Sequence, residues 1–123
     1  MGASMGGYGV WQMGMSLPEH FAAMIPICGG GLFWNAARLV NIPVWAFHGK
    51  DDPTVPPTQS IQMVDAVNAA GGNAVLTLLD NTAHNCWNYA YGLRELYDWL
   101  LIHKKTAICP TANEKYTGSK QFG

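Results

Sequence analysis

The chain has 123 residues, with seven Lys plus Arg against eight Asp plus Glu for a net charge of −1, and is 49% hydrophobic and 12% charged, the mix of a globular protein. That length sets one domain as the ceiling and lets about two thirds of the unfolded surface be buried. The near-neutral balance and scattered basic residues exclude a basic stripe for nucleic acid and a polybasic membrane segment, and no apolar run is long enough to cross a bilayer.

In chain order, a Gly-rich turn at residues 2–7 leads into a helix predicted over residues 6–16, with Tyr8, Val10, Trp11 and Met15 for packing. Phe21 to Cys28 is a short apolar run suited to a strand buried on both faces, and Gly29-Gly30-Gly31 then permits backbone conformations that other residues resist. Phe33 to Leu39 reads as a short helix and Ile42 to His48 as the next buried strand, with Pro43 near its start. Ser60 to Ala70 repeats apolar residues at Ile61, Met63, Val64 and Val67, a helix that Gly71-Gly72 ends. Ala74 to Leu79 is a third strand. Trp87 to His103 is the final helix, with Tyr91, Leu93, Leu96, Tyr97, Leu100 and Leu101 for packing. The division is therefore residues 1–103 as a domain and 104–123 as a polar, loosely ordered tail. Alternating strands and helices imply a parallel sheet with right-handed crossovers, which gathers chemistry at the carboxyl ends of the strands.

Three segments carry that chemistry. Gly2-Ala3-Ser4-Met5-Gly6 is a G-x-S-x-G pattern, which presents a serine hydroxyl on a tight strand-to-helix turn. His48 to Pro56 brings Asp51 and Asp52 just past one strand, and Thr82-Ala83-His84-Asn85-Cys86-Trp87 brings His84 just past the next. A serine hydroxyl needs an imidazole to take its proton and a carboxylate to orient that imidazole, and here the three stand in the order Ser, Asp, His. Each has a plain structural reading beside it: a Gly-rich turn that lets backbone meet backbone, a loop histidine bonded to backbone, and aspartates that form a turn before Pro53. His48 reads as closing its strand against the acid loop, and His20 and His103 as surface residues. Trp11 and Trp87, with Tyr8 and Trp34, are candidates for lining a substrate pocket or for core packing. No histidine pair has metal-ligand spacing, so no metal and no cofactor are expected. Cys28, Cys86 and Cys109 are an odd set of thiols, and a Cys28–Cys86 bridge stays open.

At these residues the chain resembles the α/β-hydrolase superfamily, in the group of esterases and peptidases related to dienelactone hydrolase, phospholipase/carboxylesterase and polyhydroxybutyrate depolymerase. The likeness lies in Ser-Met-Gly-Gly-Tyr-Gly-Val-Trp at 4–11, Pro-Glu-His-Phe-Ala-Ala at 18–23, Pro-Ile-Cys-Gly-Gly-Gly at 26–31, His-Gly-x-x-Asp-x-x-Val-Pro at 48–56 and His-Asn-x-Trp at 84–87. It implies Ser4 as nucleophile, His84 as base, Asp52 rather than Asp51 as the orienting acid, and the Met5 N–H as one oxyanion donor. The fold it implies is the C-terminal half of an α/β-hydrolase, with three parallel strands and flanking helices. The N-terminal strands and the loop that supplies a second oxyanion donor are absent, so the chain alone is expected to be feeble. The Phe21 to Cys28 strand then becomes an open edge, which invites a two-fold dimer or a separate polypeptide carrying the missing half. No signal peptide is visible, which points to the cytoplasm, although an absent first half would also remove one. Two functions follow: a serine esterase acting on a small ester through an acyl-enzyme, or a non-catalytic remnant that assembles through its sheet edge.

Overall fold

The computed structural model describes residues 1–103; the expected tail and Cys109 lie outside the described residues. The elements are β1 (Gly2–Ala3), α1 (Met5–Ser16), β2 (Pro26–Ile27), β3 (Val44–Gly49), α2 (Thr58–Ala69), β4 (Ala74–Leu79), α3 (Trp87–Gly92) and α4 (Arg94–Ile102). Two 3₁₀ segments, Pro18–His20 and Phe33–Leu39, fill the connections on either side of β2.

β3 organises the molecule, because its side chains alternate between two apolar layers. Val44 and Ala46 face a cluster with Trp11, Met15, Leu39, Met63 and Val67, contributed by α1, α2 and the Phe33–Leu39 turn. Phe47 faces the opposite cluster with Ile25, Ile27, Ala90 and Leu96, under α3 and α4. Trp45 stacks on Phe47 at 5.1 Å between ring centroids and meets Trp99 of α4 edge-on at 5.6 Å. Full burial of a side chain such as Met63, Phe47 or Leu96 stabilises by about 1.5–3 kcal/mol, and each of these three has no exposed surface.

The sheet order is β1-β2-β3-β4, all parallel. β3 and β4 pair over their full length, Val44 opposite Ala74 through Gly49 opposite Leu79. Asn68, at the end of α2, fixes where β4 begins: its side-chain amide donates to the Ala74 carbonyl and accepts from the Ala74 N–H, both at 2.9 Å.

Four strands stand where three were expected, since Gly2–Ala3 forms a short outer strand. The strand expected over Phe21 to Cys28 contracts to Pro26–Ile27, with Met24 making one further bridge to Val44. Pro26 has no N–H for the ladder and β1 pairs with only two residues, so regular pairing cannot extend. The expected edge strand is accordingly an inner one, and the edges of the sheet are β1 and β4. The final helix is broken in two: Leu93 is extended at φ −87°, ψ 111°, after Gly92, a residue about 1 kcal/mol worse than Ala in a helix. The break turns Tyr91, Tyr97 and Leu101 outward and leaves Leu96 as the buried anchor of α4.

Candidate active site

The carboxyl ends of β1, β3 and β4 deliver three loops to one rim. At the first, the Ser4 N–H bonds the Ile27 carbonyl at 2.9 Å and the Tyr8 N–H bonds the Ser4 carbonyl at 3.0 Å, so the chain turns from strand to helix within one residue. Ser4 adopts φ 55°, ψ −116°, a left-handed conformation that costs a non-glycine residue on the order of 1–3 kcal/mol. Glycine makes the turn sterically feasible. A Cβ on Gly7 would lie 2.5 Å from the Ile27 carbonyl oxygen, and one on Gly29 would lie 2.5 Å from the Gly7 carbonyl carbon, so α1 rests on the segment after β2 backbone against backbone. Ser4 precedes α1 without capping it through its side chain, which leaves the hydroxyl for another partner.

That partner is His84, whose Nε2 lies 2.7 Å from Ser4 Oγ. Its Nδ1 lies 2.6 Å from Asp52 Oδ2. An ionised carboxylate only accepts, so Nδ1 carries the ring proton, and the lone pair on Nε2 is left facing the serine hydroxyl. The imidazole is one-fifth exposed and the Asp52 side chain is fully covered. Trp87 stands edge-on to the His84 ring at 5.5 Å between centroids.

Asp52 is held by its own turn: Oδ1 accepts the Thr54 and Val55 N–H groups, both at 2.9 Å. Burial alone would raise its carboxyl pKa, but the hydrogen bonds from His84, Val55 and Thr54 outweigh that and hold it below its ordinary 3.8. Asp51 is exposed and gives its backbone N–H to the Thr82 carbonyl at 3.0 Å, which ties the acid loop to the base loop. Those loops touch at Gly49, where any Cβ would strike the Thr82 and Ala83 carbonyl oxygens.

A second Ser-His-Asp grouping lies beneath the first. His48 Nδ1 is 2.7 Å from Ser60 Oγ, and His48 Nε2 is 2.7 Å from the Val55 carbonyl and 3.4 Å from Asp52 Oδ2. Both His48 and Ser60 have no exposed surface, so this serine has no access to a substrate. Burial lowers the His48 pKa below 6.5, opposed by the Val55 carbonyl and Asp52, and the ring is neutral near pH 7. Sequence reading placed His48 against the acid loop but missed Ser60. Its signal was present: Ser60, Met63, Val64 and Val67 are the buried positions of α2, so a polar residue sits on the apolar stripe.

Of the other candidates, Met5 opens α1, where the first amides have no carbonyl within the helix to bond. Trp87 borders the site through His84. Trp11 does not line a pocket: it is wholly buried in the core and offers a ligand no surface. Trp34 is 67% exposed and meets Phe33 edge-on. Cys28 and Cys86 are free thiols rather than a bridge. Cys28 Sγ donates to the His84 carbonyl at 3.8 Å, and the neighbouring Cys86 thiol lowers Cys28 to about 7 while Cys86 itself is raised. Among the described residues, Cys28, Asp52 and His84 bring ligand-type atoms within 4.8 Å of one another. Asp52 and His84 already satisfy each other, and the second ring nitrogen faces Ser4, so the imidazole has no lone pair to spare for an ion. An apolar groove of about 230 Å³ runs beside β1, lined by Met1, Val10, Met13, Phe21 and Met24 among others; none of the three rim residues lines it.

No protein-family model matches the chain, and no curated protein does. Among solved structures, a thermostable esterase superposes with a TM-score of 0.80 at 39% identity, covering 83% of this chain and 30% of that one. Acylaminoacyl peptidase of Pyrococcus horikoshii gives a TM-score of 0.68 at 16% identity, over 93% of this chain and 25% of the peptidase. The α/β-hydrolase enzyme MGS-MChE2, from the metagenome of sediments of the Mar Chica lagoon in Morocco, gives 0.58 at 16% identity, over 82% and 59% respectively. The chain thus spans less than a third of the esterase it matches. A parallel sheet with helices on both faces, a serine turn where strand meets helix, and this pattern of likeness give the chain the fold of part of an α/β-hydrolase, shared at 39% identity with the thermostable esterase.

Proposed function

We propose that the chain carries the catalytic triad of a carboxylesterase-type serine hydrolase, with residues 1–103 as the hydrolase unit and 104–123 as a tail. The unbroken path from Ser4 Oγ to His84 Nε2 at 2.7 Å and from His84 Nδ1 to Asp52 Oδ2 at 2.6 Å supports this reading. His84 Nε2 takes the Ser4 proton as Oγ bonds to the ester carbonyl carbon, and Asp52 stabilises the imidazolium that results. The carbonyl electrons move onto oxygen, where the Met5 N–H at the positive end of α1 meets the developing charge. Collapse of that intermediate expels the alcohol, which leaves with the proton from His84, and Ser4 remains acylated. Water then repeats the cycle with His84 as base and frees the acid. Trp87, beside the ring, offers apolar surface to the substrate. The choice of an ester follows the thermostable esterase among the similar structures.

An oxyanion donor such as the Met5 N–H is worth about 10²–10³ in rate. Covalent capture of the Ser4 hydroxyl is the sensitive readout. A fluorophosphonate probe should label the protein at Ser4, and Ser4→Ala and His84→Ala should each abolish labelling. Equal labelling of Ser4→Ala, or none of the native chain, removes the proposal. The open side of β1 and the apolar groove beside it favour a second element of this reading, self-association of two copies through that edge. Sedimentation should then show a dimer at micromolar concentration, and a monomer there rejects it.

A further inference from the structure

We propose that His48 is a positioning residue for the acid of the triad, holding both oxygens of Asp52 so that one of them stays aimed at His84. This rests on the reading of Asp52 as the orienting acid, and its geometry comes from the buried network beneath the rim.

The proton count carries the argument. His48 Nε2 faces two groups that only accept, the Val55 carbonyl at 2.7 Å and Asp52 Oδ2 at 3.4 Å, so Nε2 bears a hydrogen. The neutral ring then accepts at Nδ1, and the Ser60 hydroxyl, 2.7 Å away, donates to it. That single hydrogen leaves the Gly29 carbonyl, 3.2 Å from Ser60 Oγ, as the longer and weaker acceptor of a shared bond, so the imidazole is held chiefly between the acid loop and Ser60 of α2.

Through Nε2–H the ring acts on each carboxylate oxygen by a different route. It pins the carbonyl of Val55, the residue whose own N–H bonds Oδ1, and it presents the same hydrogen behind Oδ2, the atom that accepts from His84. With Thr54 N–H also on Oδ1, donors face Asp52 on all sides, and the carboxylate has no second orientation that keeps them. Both faces of this pairing are dry: Asp52 and His48 side chains have no exposed surface. The charged or titratable groups that face His48 are Asp52 and His84. A residue that only filled space here would need no N–H at this position.

The test uses the whole chain and two variants. His48→Phe fills the volume without a donor. His48→Gln places an amide nitrogen near the position of Nε2, with hydrogens for both Val55 and Asp52. The readout is the imidazole Nδ1–H proton of His84 in NMR, visible while it is locked in a bond to Asp52. It should be sharp in the native protein, retained in His48→Gln, and lost or broadened in His48→Phe, where Ser4 labelling should also slow about tenfold. An unchanged sharp signal in His48→Phe overturns the proposal, as does its loss in His48→Gln. If His48→Phe does not fold, His48→Gln decides alone. Because the resonance reports the Asp52–His84 bond and not Ser4 chemistry, a native chain that shows this pattern but takes no probe refutes the hydrolase reading and leaves the positioning role standing.

Discussion

Ser4 is the residue where structure and chemistry pull against each other. Its φ of 55° is inexpensive for glycine and strained for anything with a Cβ. Ser4→Gly should therefore be more stable than Ser4→Ala by about 1 kcal/mol, read from paired denaturant melts, because both lack the hydroxyl and only one relaxes the backbone. At Asp52 the expected loss is chemical. Asp52→Asn preserves shape but can donate to Nδ1, which reverses the tautomer of His84 and should slow probe labelling by up to about 10⁴-fold with little change in fold. Ser4, Asp52 and His84 were legible from their motifs and their places after strand ends. His48 and Ser60 were not, because a histidine in a strand and a serine in a helix carry no pattern until β3 and α2 pack together. Of the two readings left open for Trp11, core packing holds and the pocket role does not, since an indole in a helix next to the serine turn looks the same in sequence whether it faces inward or outward.

Among the elements, β4 agreed with its sequence pattern at both ends, because Gly71-Gly72 and the Asp80-Asn81 turn bound a β-branched and leucine-rich run. The Phe21 to Cys28 run misled for a physical reason: apolar character reports burial, and Ile25 and Cys28 are fully buried outside any regular ladder. The split of the last helix at Gly92-Leu93 likewise escaped periodicity, which continues across the break. Leu96 is the fully buried residue of α4, beside the partly buried Trp99 and Leu100, and Leu96→Ala should cost about 2–5 kcal/mol by chemical denaturation. Tyr97→Phe removes the 2.7 Å bond from the phenol to the Tyr91 carbonyl that ties α4 back to α3, and should cost less than about 1 kcal/mol because that pair is exposed.

For the whole molecule, the two shifted groups under the rim set its response to acid. His48 is held below 6.5, so as pH falls through 6.5 the unfolded chain takes up a proton that the folded one refuses, and stability falls. Asp52 is held below 3.8, so its contribution is complete above that value and is lost as pH drops further. Melting temperature should decline in two stages on acidification, and His48→Gln should remove the upper stage while leaving the lower. Persistence of both stages in that variant would assign the upper one to another group.

The backbone contact between Gly7 and Gly29 has a further consequence. On one side the Gly29 peptide carries the helix that follows Ser4; on the other its carbonyl meets the Ser60 hydroxyl that bonds His48. A single added methyl there, Gly29→Ala, would wedge α1 away and shift that carbonyl at once. Native-state hydrogen exchange should then speed up at the start of α1 and in the Asp52 turn together. The rim is thus a keystone arrangement, two arms bearing on one peptide that no larger residue can replace.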